Sequence, residues 1–198
     1  MEEGNINTKE YWEVNYSNGF YQDNSVNEWE FNHTFLKNIL PKQPCKILEV
    51  AAGLAHNAKY AADLGHTVVA TDFSQIAIDE SKQRFKGLSE WRLKFLCMPV
   101  EEATQLFRQN DVVMAFEFLE HFIDPLPIIL KINKALRAGG MFVFSVPNEG
   151  GHFAEYCQHY FIFNYKNTTE LMFKAGFKQV IFNKNDFNKE RILGVCIK

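Results

Sequence analysis

Two acidic residues, Glu49 and Asp72, stand at the carboxyl ends of two short apolar runs, 46–50 and 67–71, and lie 23 positions apart. Between them come the small-residue stretch Ala51-Ala52-Gly53-Leu54-Ala55-His56 and a helical pattern over about 55–64, closed by Gly65. The order is strand, tight turn, helix, second strand, acid. A βαβ unit that ends this way holds an anionic side chain where ribose hydroxyls can donate to it. Small residues at 51, 52, 53 and 55 let a ligand approach the backbone closely. Asp72, 19 positions after Gly53, is the candidate ribose acceptor, and the spacing implies an adenosine-containing ligand. A plainer role for Asp72, a charge preceding the helix that opens at Ser74, accounts less well for its place at the strand's end.

Histidines are the other candidates for chemistry. His121 could serve as a general base toward an acceptor hydroxyl, since imidazole titrates near neutrality. It could equally be hydrogen-bonded to a nearby loop. His56 and His66 have no ligand set at metal-binding spacing, so the sequence proposes no metal site.

The elements that must position these residues follow from periodicity and punctuation. A short helix is expected near 8–16. The capping-box pattern Ser25-Val26-Asn27-Glu28 opens a second helix presenting Trp29, Leu36 and Ile39/Leu40 and stopping at Pro41. The alternating core then runs: strand 46–50, helix 55–64, strand 67–71, helix from Ser74 to about Lys86, strand 93–97, a helical segment around 101–107, and strand 111–116. Next come a helix with Asp124 as N-cap and Pro125 in its first position, ended by Gly139-Gly140, and strand 141–146. After an aromatic loop, Asn167-Thr168-Thr169-Glu170 caps a helix ending at Gly176, followed by strands near 177–182 and 191–197. Strands alternating with helices predict an α/β fold, a doubly wound, mostly parallel seven-stranded sheet with helices on both faces. The last connection is too short for a parallel crossover, so the final strand should be antiparallel, closing a C-terminal hairpin.

With 198 residues, 46% of them hydrophobic, the chain can bury one sizeable core. A net charge of −3 gives no global attraction to nucleic acid. No apolar run is long enough to span a bilayer, and Met1-Glu2-Glu3 does not open a secretory signal. Cys45, Cys97, Cys157 and Cys196 are scattered, and Cys97 and Cys196 lie in apolar strand patterns as expected buried thiols. A reducing, cytoplasmic setting is expected.

Several separated motifs carry a resemblance to class I S-adenosylmethionine-dependent methyltransferases over roughly 45–198. Residues 47–55 are similar to the family's first motif, acidic-x-Gly-x-Gly-x-Gly, and Asp72 to its strand-two acid. Residues 111–121, ending Leu119-Glu120-His121, resemble the strand-four pattern. Arg137-Ala138-Gly139-Gly140 stands where a Lys-Pro-Gly-Gly turn is usual, and Ser145-Val146-Pro147-Asn148 and Ala175-Gly176-Phe177 complete the set. Two motif-one glycines are replaced here by Ala51 and Ala55. Alanine disfavours positive φ, so right-handed or extended backbone is expected at both. Pro99 takes the place of an Asp that often meets the adenine amino group.

The resemblance implies S-adenosylmethionine as cofactor. Glu49 would orient its methionine portion, with backbone contacts from Ala51 and Gly53. Phe73 would lie against adenine or belong to the plain core. Adenine would otherwise be held by backbone at Val100, by Glu101, or by packing. Ala115 and Phe116 match positions whose carbonyls accept from the cofactor's amino group. His159, in His-Tyr-Phe-Ile-Phe-Asn, is a second candidate base beside His121, or a structural residue.

Residues 1–44 would form an N-terminal helical lid bearing Tyr11, Trp12, Tyr16, Phe20 and Tyr21. An acceptor-side insert at about 148–165 brings His152, Phe153, Tyr156, Tyr160, Phe161 and Phe163. Those aromatic walls favour methyl transfer, by in-line displacement, to a small apolar, aromatic or acyl-bearing acceptor. Neither a nucleic acid nor a membrane is the expected partner. The competing readings are a nicotinamide-dependent dehydrogenase, disfavoured by the missing Gly-x-Gly-x-x-Gly, and a non-catalytic nucleoside-binding protein of the same fold.

Overall fold

The structure is a computed structural model that describes residues 7–19, 26–152, 154, 156, 158–183 and 189–198, backbone only at 26–29. The expected Ser25 cap, the Trp29 side chain, Phe20, Tyr21, Phe153 and Cys157 lie outside what is described. Seven strands form one sheet: β1 (Lys46–Val50), β2 (Thr67–Asp72), β3 (Leu93–Cys97), β4 (Asn110–Phe116), β5 (Leu136–Pro147), β6 (Gln179–Phe182) and β7 (Arg191–Ile197). Their order is β3-β2-β1-β4-β5-β7-β6. The β1–β2, β1–β4, β2–β3 and β4–β5 pairs are parallel, and β7 lies antiparallel between β5 and β6, as the short last connection requires.

Helices α1 (Lys9–Ser17), α2 (Val26–Ile39), α3 (His56–Asp63), α4 (Gln75–Arg84), α5 (Val100–Leu106), α6 (Leu126–Ala135) and α7 (Tyr165–Lys174) complete the chain. The strands are apolar on both faces because both are covered. Along β1, β4 and β5, Leu48, Val113, Phe142 and Phe144 point toward α5, α6 and α7. Their neighbours Ile47, Val112, Met114 and Val143 pack with Phe35, Leu36 and Leu40 at the end of α2 and the alanines of α3. Thus α2 joins the core, whereas α1 buries none of its residues. At Gly194 of β7, an added Cβ would sit 2.5 Å from the Phe144 ring across the ladder, so close packing demands glycine.

Local caps set most boundaries. Ser74 Oγ accepts from the Ala77 N–H at 3.1 Å and opens α4 as its sequence foretells. Three boundaries differ from the sequence reading. Helix α7 begins at Tyr165 because Asn164 and Asn167 form a reciprocal capping box, each side chain accepting from the other's N–H at 2.9 Å. Helix α6 ends at Ala135, and Leu136 already pairs with Asn110, so Gly139-Gly140 falls inside β5 at a register shift. Pro125, and not Asp124 as the sequence suggests, takes the N-cap position of α6, while Asp124 Oδ1 just before it accepts from the Leu126 N–H at 3.0 Å. Cys45, Cys97 and Cys196 are free thiols; Cys196 is buried, but Cys97 is only partly so. Among the described residues no helix is long and apolar enough to cross a membrane.

Candidate cofactor and active site

Strand order reverses between β1 and β4, and the carboxyl ends of β2, β1 and β4 open there onto one edge, where ligands of open α/β sheets bind. Asp72, the last residue of β2, is 3% exposed. Its Oδ2 accepts from the Gly53 N–H at 2.8 Å and its Oδ1 from the Ser74 N–H at 2.9 Å. Burial pushes its carboxyl up to about 6, while these N–H donors pull the other way. Glu49, in β1, is equally buried, and burial lifts it to about 8 despite hydrogen bonds from Asn57 and the Ala58 N–H. Its Oε2 has no hydrogen-bond partner.

The turn between these acids overturns one expectation. Ala51 and Ala55 have φ of 50° and 55°, in the left-handed region, like Gly53 at 52°. Tertiary ties impose the conformation. Ala52 N–H donates to Thr71 O at 2.9 Å, Ala55 N–H to Ala52 O at 2.8 Å, and Gly53 N–H to Asp72. Alanine tolerates such backbone only at a cost. Gly53 is needed for space as well, since a Cβ there would meet Tyr16 Oη at 2.9 Å.

Tyr16 belongs to α1, which lies across the strand ends. Glu13 accepts from the N–H groups of Gln75 and Ile76, at 2.9 and 3.3 Å, and so supplements the cap of α4. Trp12 sets its ring edge-on to His121, 5.0 Å between centroids. Asn7 Nδ2 donates to the Gln158 carbonyl at 2.8 Å. Of the remaining expected contacts, Phe73 is partly exposed beside Asp72, and its carbonyl accepts from Cys97 Sγ at 3.4 Å. Val100 opens α5 without a side-chain cap. The half-exposed Glu101 faces Lys131 at 4.0 Å. Ala115 and Phe116 end β4 against Phe144 and Ser145.

Residues 48–144 match the model of the methyltransferase domain family. The tRNA 5-carboxymethoxyuridine methyltransferase of Escherichia coli K12 is 29% identical over 112 residues, 55% of this chain and 42% of that protein. The ubiquinone biosynthesis O-methyltransferase of Idiomarina loihiensis is 31% identical over 105 residues, 52% of this chain and 42% of its own. The chain thus spans about two-fifths of the length of these curated relatives. Among solved structures, Haemonchus contortus phosphoethanolamine N-methyltransferase 2, in complex with S-adenosyl-L-methionine, superposes with a TM-score of 0.74 at 17% identity, over 98% of this chain and 58% of that one. Residues 48–144 carry a methyltransferase domain, and the fold is that of S-adenosylmethionine-dependent methyltransferases of known structure.

The methyltransferase site fits that cofactor on its own geometry. A buried carboxylate ends β2 where the hydroxyls of a bound ribose would donate, the Gly53 turn carries no side chain beneath Tyr16 Oη, and Glu49 keeps an unpartnered oxygen. Beyond β4 the chain passes through Glu117, at a φ of 47°, into a 3-10 turn, Leu119–His121. Strained backbone of this kind gathers at functional sites. Glu117 accepts from Ser145 Oγ at 2.6 Å and pairs with Arg191 at 3.3 Å.

His121 Nδ1 lies 3.0 Å from the Gln158 carbonyl, which can only accept. Nδ1 therefore carries the proton, and Nε2 presents a lone pair. Burial pushes this imidazole down to about 4, keeping it neutral. His159 lies beside it, 5.2 Å between ring centroids, so the two predicted bases do come together. Sequence reasoning missed Asn7, Glu13, Glu117, Glu120 and Arg191. Only Glu120 carried a signal, its place in the Leu-Glu-His motif.

Proposed function

We propose that this protein transfers a methyl group from S-adenosylmethionine to a small apolar or aromatic acceptor lying between α1 and residues 156–161. The observation that carries the acceptor class is a chain of rings over the strand ends. Tyr11, Trp12, His121, His159 and Tyr156 follow one another at centroid distances of 5.5, 5.0, 5.2 and 5.6 Å. Phe118 and Phe122 form a further edge-to-face pair next to the 3-10 turn. Such walls hold flat or apolar molecules and exclude water, and the histidines offer the few polar groups that orient them.

The bound cofactor supplies a methyl on a sulfonium, already an excellent leaving group open to in-line attack. The chain's own task is alignment, exclusion of water and removal of a proton where the acceptor is a hydroxyl. Asp72 accepts from the ribose. The Gly53 turn admits the methionine portion, and Phe73, Val100 and Glu101 border the adenine. His121 Nε2 is the favoured proton acceptor because its tautomer is fixed by Gln158, with His159 beside it. The acceptors named for the relatives differ widely, so these walls rather than the fold set the choice.

The test is methyl transfer from labelled S-adenosylmethionine to a panel of phenols, carboxylic acids, amines and bulk tRNA. Transfer to phenolic or acyl-bearing compounds is expected. Trp12→Ala should raise the acceptor KM at least fivefold while leaving cofactor affinity within twofold. Transfer to tRNA alone, or a KM indifferent to Trp12, would overturn the acceptor assignment.

A further inference from the structure

Glu120, His121 and His159 gather their ligand atoms within 4.8 Å of one another beneath the Trp12 ring. The three come from two segments, the 3-10 turn after β4 and the loop before α7, and the segments are stitched together by backbone. The N–H groups of Tyr160 and Phe161 donate to the Glu120 carbonyl at 2.8 and 3.1 Å, and His121 Nδ1 donates to Gln158 O. The Glu120 side chain is 1% exposed, and neither of its carboxylate oxygens has a hydrogen-bond partner. His121 Nε2 lies 3.9 Å from its Oε1. With Nδ1 committed to a carbonyl, that nitrogen is a lone pair. A buried carboxyl facing that lone pair needs either a proton or a cation between the two.

We propose that Glu120, His121 and His159 form a site for one divalent transition-metal cation, with further coordination positions open toward the acceptor cleft. Two imidazoles and one carboxylate suit zinc, cobalt, iron or nickel better than calcium or magnesium, whose ligands are oxygens. The bond from His121 Nδ1–H to a backbone carbonyl is the outer-shell contact that metal-bound histidines make, and it fixes Nε2 as the ligand. Metal–ligand bonds of about 2.1 Å at tetrahedral angles place ligand atoms roughly 3.4 Å apart. The cluster therefore needs to contract by roughly 0.5–1.5 Å, within the reach of side-chain rotation. Arg191 pairs with Glu117 at 3.3 Å, and its charge also acts on the Glu120 carboxyl.

The inference rests on the methyltransferase reading only for where the acceptor lies. An oxygen of the acceptor entering below Trp12 would meet the cation, which lowers the pKa of an oxygen it binds. Cation and proton compete for the same Nε2 lone pair, so the loaded site replaces His121 as the group that eases the acceptor's ionisation.

The test is a titration of the full chain, stripped with chelator, with Co²⁺, and needs no cofactor or acceptor. One Co²⁺ per chain should bind, with visible d–d absorption, and ring-proton signals of two of the six histidines should show paramagnetic shifts. Glu120→Gln and His159→Gln should each weaken binding at least tenfold, while His56→Gln leaves it unchanged. Absence of stoichiometric uptake by the parent, shifts in other histidines, or undiminished affinity in both variants would overturn the site. Either result leaves the methyltransferase reading intact, because S-adenosylmethionine binding is measured separately on the stripped protein.

Discussion

Glycine substitution at Ala51 should stabilise this protein, whereas the same change one residue later should destabilise it. Ala51 has a φ of 50°, a conformation that costs an L-residue roughly 1–2 kcal/mol. Glycine removes that strain but gives the unfolded chain extra freedom, a loss of roughly 0.5–1 kcal/mol. The net for Ala51→Gly is a gain of roughly 0–1.5 kcal/mol, centred near 0.8. Ala55 shares the strain, at 55°, but its methyl is fully buried, and losing it costs roughly 0.8 kcal/mol more. Ala55→Gly should therefore be close to neutral. Ala52 is buried without positive φ, so Ala52→Gly has both losses and no relief, about 1.5 kcal/mol destabilising. In a chain of this length 1 kcal/mol moves Tm by roughly 2–4 °C. Ala51→Gly and Ala52→Gly should thus differ by about 4–9 °C in a calorimetric scan, with Ala55→Gly between them. Equal losses at 51 and 52 would refute left-handed backbone at Ala51 and the strained turn with it.

Two further outcomes follow from the lid and the buried acid. Glu13→Gln removes a charged acceptor from the N–H groups that open α4, worth roughly 0.3–1 kcal/mol. Release of α1 should then raise acrylamide quenching of Trp12 fluorescence, read in a Trp29→Phe, Trp91→Phe background; unchanged quenching would show that Glu13 does not hold the lid. Cofactor affinity should also depend on pH. Below pH 6 the ligand-free protein holds a proton on Asp72, because burial raises that carboxyl to about 6. Ribose hydroxyls donate more strongly to the carboxylate than to the protonated acid, so binding favours loss of the proton. Affinity is then full above pH 7 and falls up to tenfold per unit as pH drops below 6. A flat affinity profile between pH 5 and 7 would contradict ribose binding at this acid.

The sheet was legible because period-two apolarity, helix-closing glycines and the Ser74 cap are local signals. So was the place of Asp72 at the end of β2, within reach of the Gly53 turn. What escaped is tertiary. Nothing in Ala51-Ala52-Gly53-Leu54-Ala55 foretells left-handed alanines, since bonds to Thr71 and Asp72 on the neighbouring strand force them. Asn164 and Asn167 hide a capping box because the reading sought the cap three residues later. His121 and His159 could be suspected singly. Their meeting over Glu120 depends on how 37 intervening residues return to the end of β4, as the backbone bonds of Tyr160 and Phe161 to Glu120 reveal.

The central claim, a cofactor cleft governed by Asp72, is tested most directly by calorimetric titration with S-adenosylhomocysteine of the parent and Asp72→Ala. The parent should bind one equivalent. Loss of a hydrogen-bonded charge should cost roughly 1.5–3 kcal/mol, about 10–150-fold in Kd, with the fold of the variant verified by its circular dichroism. A parent that takes up no S-adenosylhomocysteine, or a folded variant that binds as tightly as the parent, would contradict the account.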